Sequence, residues 1–395
     1  RRTAAGRALV AGTSWDAVVA HMVAEIEKVL PEGLEKDVAQ LFGERDAKHA
    51  ARQPPAEADV LVVGAGPTGL SAAFHLGARA TLLEANATVG GWCRSIEDRG
   101  FTFDHAGHIM FSNSPVVLDL YQKLLGDNVL WQDREAWIYS HGTYTRYPFQ
   151  GALYGLPPKV MTECIMGAIE ARYGTAATRA AANMPQDDCC GDGTAIDGAC
   201  AKAARPDKAP ADFEEFIYRT WGRGIAAHFA IPYNRKLWTV PLGEMETSWL
   251  GGRVPLPDLE QMIEGALSPV PRPMGPNARF GYPLRGGFQA LMNGFLPLLQ
   301  GPLHLASRVL RVQPSRRMVE LTDGRTFRYA HLVSTMALPD LVAAIGLEAP
   351  AAVRHAAAKL RRVSVRCVNL GIGRERITDK HWIYYPEDTV FHRIF

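Results

Sequence analysis

Asp59-Val60-Leu61-Val62-Val63-Gly64-Ala65-Gly66-Pro67-Thr68-Gly69 is the stretch on which the reading of the fold turns. Its first five residues form a short apolar, β-branched run, which predicts a strand. Three glycines at G-x-G-x-x-G spacing follow, then a helical stretch to Leu76 and a second apolar run, Ala80-Thr81-Leu82-Leu83, ending in Glu84. Each part has a physical task. Gly64 permits the tight turn, Gly66 lets a pyrophosphate approach the backbone, and Gly69 lets helix and strand pack closely. The helix N-terminus offers N–H groups to phosphate, with a dipole contribution of roughly 0.3–1 kcal/mol. Glu84, twenty residues beyond Gly64, stands where an acid accepts hydrogen bonds from a ribose 2′-hydroxyl. Strand, turn, helix and acid agree on an α/β, Rossmann-like dinucleotide-binding domain.

Gly90-Gly91-Trp92-Cys93-Arg94-Ser95 comes shortly after Glu84. An acid followed by a glycine pair and an arginine resembles the FAD-dependent superfamily of amine oxidases, protoporphyrinogen oxidases and UDP-galactopyranose mutases. The resemblance implies that Gly90 and Gly91 give the FAD pyrophosphate and flavin close access to the backbone, and that Arg94 supplies positive charge. An acid at 84, with no basic neighbour, argues against a 2′-phosphate and so against NADP. FAD is the expected cofactor. A glutathione-reductase-type FAD domain with an inserted helical and antiparallel-sheet substrate domain is the expected fold.

Composition fits a large enzyme. With 395 residues, 47% of them hydrophobic, the chain can build two or three domains, each with its own core. Lys and Arg number 43 against 41 Asp and Glu, so nothing marks a nucleic-acid partner or a basic membrane patch. No run approaches eighteen uncharged apolar residues, so no membrane span is expected. Six scattered cysteines suit a reducing cytoplasm better than a disulfide framework.

Boundaries follow from changes in pattern. Residues 1–43 carry a helical apolar stripe (Trp15, Val18, Val19, Met22, Ile26, Val29, Leu30) behind Ser14. The stripe resembles the closing helix of a two-domain glycosyltransferase, so a fused or partner glycosyltransferase is one expectation; an ordinary helix fits equally. Because the chain starts at Arg1, a piece of a longer protein is expected. Residues 44–58 read as a linker and 59–128 as the first part of the FAD domain. Residues 129–275 read as a substrate domain, with antiparallel strands over Val129–Phe149 turning at Ser140-His141-Gly142. A flexible insert at 175–210 holds Cys189, Cys190 and Cys200 without the spacing of a metal site. Residues 276–345 read as the return part of the FAD domain, a strand meander with an Asp323-Gly324 turn, and 346–395 as substrate-domain sheet cut short.

Further motifs stand in order along the chain. They are Asp104-His105-Ala106-Gly107-His108, Tyr147-Pro148-Phe149-Gln150, Pro232-Tyr233-Asn234-Arg235-Lys236-Leu237-Trp238, Trp249-Leu250-Gly251-Gly252-Arg253 and Trp382-Ile383-Tyr384-Tyr385-Pro386. Together, from about Asp59 to Phe395, they resemble UDP-galactopyranose mutases, the eukaryotic type in particular. The resemblance implies ring interconversion of a nucleotide sugar, pyranose to furanose, through an adduct between the sugar and N5 of reduced flavin. It also implies the roles of the site residues. Arg253 and Arg374 grip the diphosphate as planar, permanently charged guanidinium groups, and His108 and Gly107 form a loop beside the flavin. Tyr147, Gln150, Asn234 and Trp238 surround the nucleotide base, and Val309 touches the cofactor. No metal is expected.

Blander roles suit the same residues: core packing for Trp238 and His108, an ordinary surface position for Arg253, a buried loop amide for Gln150. Leu360–Arg366 lacks the tyrosine that the family places before its second arginine, and the chain reaches Phe395 before the family's last flavin-binding turn. Other readings therefore stay open: an FAD oxidase or desaturase of the amine oxidase and protoporphyrinogen oxidase type, or a non-catalytic binding module of a glycosyltransferase fusion. A nicotinamide oxidoreductase lacks support, because no second glycine fingerprint is present.

Overall fold

The computed structural model describes residues 54–174, 209–250, 254, 256, 258–270, 279–375 and 377–395. The expected N-terminal helix, the three cysteines of the 175–210 insert and Arg253 lie outside them. Elements follow in the order β1 (Ala56–Val63), α1 (Pro67–Leu76), β2 (Ala80–Leu83), β3 (Ser95–Asp98), β4 (Phe101–Asp104), α2 (Pro115–Leu125), β5 (Leu130–Asp133), β6 (Ala136–Ser140), β7 (Thr143–Arg146), α3 (Pro158–Tyr173), α4 (Phe213–Ile225), α5 (Ile231–Trp238) and α6 (Leu259–Leu267). The chain continues through β8 (Arg279–Tyr282), α7 (Gln289–Asn293), β9 (Leu303–His304), β10 (Val309–Gln313), β11 (Met318–Leu321), β12 (Thr326–Ser334), α8 (Leu338–Ile345), α9 (Ala351–Ala358), β13 (Trp382–Tyr384) and β14 (Arg393–Ile394).

Two compact units divide these elements. The first comprises the described residues up to His108, with Asp119–Val129 and Pro283–Arg362. Its sheet has the order β10-β11-β12-β1-β2-β9. β1 runs parallel to both β2 and β12, while β10, β11 and β12 form an antiparallel meander. The run Val60–Val63 is buried throughout, as a central parallel strand covered on both faces must be. Leu61, Val63, Leu83, Val319, Leu321 and Phe327 share one core cluster. β1 begins three residues before the sequence reading placed it. Ala56, Glu57 and Ala58, assigned there to the linker, pair with Phe327, Arg328 and Tyr329 because β12 is long enough to reach past the expected strand start.

The first unit also claims a segment that sequence reading gave to the substrate sheet. Residues 351–358 are a helix, not a strand. Alanine-rich, with high helix propensity, they bury Ala357 with Val342 and Ala349 against the α8 side.

The second unit comprises Ile109–Leu118, Leu130–Tyr282 and Val363–Phe395. The expected hairpin is present: β6 and β7 pair antiparallel around a turn in which His141 takes φ 52° and Gly142 φ 75°. β13 adds to β6 in parallel and β14 closes the edge, while β5 pairs with β8. α3 and α4 pack so tightly that glycine is required at their contact. A Cβ on Gly224 would lie 2.2 Å from the Glu163 carbonyl oxygen, and one on Gly222 would lie 2.0 Å from that of Gly167. Gly222 itself has φ 76°, which kinks α4. The Asp212 carboxylate accepts the Glu215 amide at 2.8 Å and caps the start of α4. Cys164, wholly buried at this contact, has its thiol pushed up to about 12 by burial, which makes it a packing residue.

Gly224→Ala drives a methyl group into backbone, which cannot rotate away. It should destabilise the second unit by about 1–3 kcal/mol or more. Urea unfolding followed by tryptophan fluorescence, with most of the signal from this unit, should show a lower midpoint; an unchanged midpoint would mean that the helices have room to separate.

Candidate functional site

In the first unit the glycine turn leaves β1 and enters α1 without a side-chain cap, as an anion site requires. The Gly64 amide donates to the Leu83 carbonyl at 2.8 Å, which ties the turn to β2. Gly64 has φ 97°, and a Cβ on Gly69 would sit 1.7 Å from the Gly64 carbonyl oxygen. Gly66 and Gly91 meet back to back: a Cβ on Gly91, at φ 56°, would come within 3.1 Å of the Gly66 Cα. The Gly90 amide donates to the Ala65 carbonyl at 2.7 Å and completes the junction. The two glycine motifs, more than twenty residues apart in sequence, thus form one side-chain-free surface.

Glu84 lies buried beneath it. Its carboxylate accepts the Ala65 amide at 2.8 Å and the Asn86 amide and side-chain nitrogen at 2.8 and 2.6 Å. A cleft of about 520 Å³ opens here, lined by Gly64, Glu84, Val309, Leu310, Met336 and Asp340 among others. It lies at the carboxyl ends of β1, β2 and β12, where doubly wound sheets bind nucleotides. Gly64, Glu84 and Val309, each expected to contact cofactor, are therefore brought together on one cleft. Leu310, Met336 and Asp340 were missed. Their only sequence signal is position, at the start of the meander and beyond its return strand.

Arg94 is half-buried and turned inward, with Nε donating to the Gly91 carbonyl at 2.8 Å. It holds the glycine pair in place as well as carrying charge. His108 stacks on Phe288 with ring centroids 5.1 Å apart, and its Nδ1 lies 2.8 Å from the Ala106 carbonyl. Gly107 sits between these two anchors. The same loop is fixed through Asp104, whose carboxylate accepts the Ser95 hydroxyl at 2.6 Å and the Phe288 amide at 3.1 Å.

The fit of FAD rests on these observations. The absence of side chains at Gly66 and Gly91 lets the two turns close on each other, and at Gly69 lets helix and strand pack, so backbone rather than side chains faces a pyrophosphate at the helix start. The cleft beyond them has an apolar wall and one buried acid, as an adenosine requires.

In the second unit the four expected base-binding residues fall on two segments joined by stacked rings. Phe149 stacks on Phe229 at 5.0 Å and 11°, and Phe229 stacks on Tyr233 at 5.3 Å and 7°. Tyr147 and Gln150 flank the first ring in sequence; Asn234 and Trp238 follow the last. Trp238 donates its indole N–H to the Asn234 side-chain oxygen at 3.1 Å, and Asn234 donates to the Ala230 carbonyl at 2.8 Å. Asn234 therefore spends its amide on fixing the Trp238 ring. Trp238 lies edge-to-face with Trp249, ring centroids 5.3 Å apart, at the border of the core. Gln150 is 4% exposed.

Arg134 is the residue that sequence reading passed over, because between Asp133 and Glu135 it looks like part of a charged turn. Its guanidinium lies 4.6 Å from the Tyr147 ring centroid and 5.4 Å from that of Trp382, and donates to the Tyr384 hydroxyl at 2.7 Å. Burial, with Tyr384 adding to it and Arg134 opposing, pushes the Tyr147 phenol up to about 12. Arg374 stands apart from this group, exposed outside any helix or strand, its amide bonded to the Ile372 carbonyl at 2.8 Å.

Comparison with known proteins agrees with this fold. Residues 62–124 match a model of the NAD(P)-binding Rossmann-like domain, and residues 235–381 match flavin-containing amine oxidoreductases. A crystal structure of reduced UDP-galactopyranose mutase is similar over 85% of this chain and 69% of that one, with 26% identity and a TM-score of 0.69. A Pyrococcus furiosus protein covers 85% of the chain and 73% of its own length at 15% identity and a TM-score of 0.50, which shows shared fold.

Glu84→Ala removes a charge-assisted acceptor worth roughly 1.5–3 kcal/mol, about ten- to hundredfold in affinity. Titrating FAD into apo-protein and following flavin fluorescence should show that weakening. Equal affinity in the variant would remove Glu84 from the nucleotide site.

Proposed function

We propose that this chain, which belongs to the flavin-containing amine oxidoreductase superfamily and takes FAD as its cofactor, is a nucleotide-sugar mutase that interconverts pyranose and furanose rings. The observation that carries this reading is the similarity to UDP-galactopyranose mutase over 85% of the chain at a TM-score of 0.69. The residues of the second unit support it: an indole held in one plane, a buried glutamine and a guanidinium held against aromatic rings suit a nucleotide better than an alkyl amine.

Bound and reduced, FAD supplies an electron-rich N5 able to attack an anomeric carbon. The protein has to bind, orient and neutralise. On this reading Gly64, Gly66, Gly69 and Glu84 hold the ADP half, and Gly90, Gly91 and Arg94 stand nearer the flavin. The Gly107 backbone, fixed between the His108 stack and the Asp104 hydrogen bonds, would accept a hydrogen bond from the N–H of the reduced flavin. Trp238 offers its ring face to the base, and Asn234 is a positioning residue for that ring. Tyr147 stays protonated across the physiological range, so it can donate a hydrogen bond and does not serve as a base. Arg253 and Arg374 are the proposed grips on the departing diphosphate.

The second reading, an FAD-dependent amine oxidase, takes its support from the match of residues 235–381 to flavin-containing amine oxidoreductases. The two differ in electron balance: a mutase consumes no acceptor, whereas an oxidase passes two electrons to oxygen for each substrate.

Dithionite-reduced protein, kept without oxygen and given UDP-galactofuranose, should yield the pyranose form with no acceptor consumed. Arg253→Ala should lower kcat/KM by about a hundredfold or more. Hydrogen peroxide formed in step with oxidation of an amine would decide for the oxidase, and an Arg253→Ala enzyme as fast as wild type would remove that arginine from the site.

A further inference from the structure

The turn of the β6–β7 hairpin and the π-helical turn Ala226–Ala230 meet through two histidines of the second unit. His141 Nε2 lies 3.2 Å from His228 Nδ1. On its far side, His228 Nε2 lies 2.7 Å from the Glu163 carboxylate. Neither histidine belongs to the nucleotide-binding residues above, and core packing does not call for them: His141 is exposed, at the tip of a hairpin.

Three features define what this arrangement suits. The first is spacing. Two ligands bound at 2.0–2.1 Å to one tetrahedral zinc ion stand about 3.3 Å apart, and these two ring nitrogens already stand at 3.2 Å. The second is the outer partner. A metal-bound imidazole characteristically donates its other N–H to a carboxylate, which fixes the tautomer and raises the basicity of the binding nitrogen. Glu163 does this for His228, and the His228 hydrogen bond in turn keeps the Glu163 carboxyl below the usual carboxylate range. Lys159, 3.9 Å from Glu163, is the nearest cation on that side.

The third feature is rigidity. His141 holds φ 52°, and both its amide and the Ser140 hydroxyl donate to the Glu387 carboxylate, so the hairpin tip is pinned from the opposite side. His228 sits on a helical turn whose Phe229 ring is stacked between Phe149 and Tyr233. Both rings are thus placed before any ligand arrives. Among the described residues no group of three or more His, Cys, Asp and Glu side chains surrounds a common metal position, so water would fill the remaining positions.

We infer that His141 and His228 form a two-histidine site for a divalent transition-metal ion of the imidazole-preferring class, Zn²⁺ or Cu²⁺, with Glu163 as the outer carboxylate. Without metal the two rings share one hydrogen bond. On binding, His141 adopts the Nδ1–H tautomer, and both facing lone pairs go to the ion. The ion then bridges the hairpin that leads into Tyr147 and the helix that carries Asn234 and Trp238. The inference does not depend on the mutase reading.

The test is to titrate ZnCl₂ by calorimetry, and CuCl₂ by electron paramagnetic resonance, into the tag-free full chain. One equivalent should bind saturably, and the copper spectrum should show two coupled imidazole nitrogens. His141→Asn, which tolerates the left-handed turn, and His228→Ala should each weaken binding about a hundredfold. Glu163→Gln should weaken it about ten- to hundredfold. No saturable equivalent, binding unchanged in either histidine variant, or a copper spectrum without two nitrogens would overturn the site. Should His228→Ala fail to fold by circular dichroism, His141→Asn decides alone.

Discussion

The Glu84 carboxylate accepts three hydrogen bonds from its own chain, one from the Ala65 amide and two from Asn86, while 5% exposed. A buried charge left unsatisfied would cost several kcal/mol, so this position is stable only because the glycine turn bends its amide onto it. That bend in turn needs the Gly64 amide on the Leu83 carbonyl and a helix close enough that Gly69 can carry no side chain. Two strands, one turn and one helix are thereby fixed by a single anion. A carboxylate has about four lone-pair directions, so three internal donors leave one open toward the cleft that Glu84 lines. The constraint that holds the fold also shapes that cleft.

This interdependence explains what could be read in the sequence. Gly64, Gly69 and Glu84 are irreplaceable by shape or charge, and such residues stand out as letters. So do the hairpin at Ser140-His141-Gly142 and the return of Leu332–Ser334 to β1, whose turn residues and apolar runs are local signals. One error falls where a distant partner decides: Ala56–Ala58 become strand because β12 extends to meet them, and that partner cannot be seen from the segment itself. The other does not, since the helix Ala351–Ala358 carries a local signal in its alanines.

The candidate site follows the same rule. Trp238 was legible as a candidate from its motif, but the reason its plane is fixed, the Asn234 amide four residues back on the helix, appears only with the structure. Arg134 was hidden by its charged neighbours. What distinguishes it is three aromatic rings, Tyr147, Trp382 and Tyr384, two of which arrive from some 250 residues away in sequence. Charge placed on a ring face in a dry setting is a tertiary property, and no local pattern announces it.

The contrast between Arg134 and Arg374 bears on how a dianion can be held. A guanidinium contributes most when its geometry is set beforehand, because immobilising a free arginine side chain costs up to about 2 kcal/mol. Arg134 has met that cost in the fold, through the Tyr384 hydroxyl and the rings above it. Arg374 lies on a stretch where Val365, Val368 and Leu370 are 63%, 73% and 72% exposed, a pattern of residues suited to a paired strand. No element covers residues 363–381 among those described. On the proposed reading Arg374, exposed and held only through its backbone amide, would meet that ordering cost on binding, so it would grip a diphosphate less strongly than its charge alone suggests.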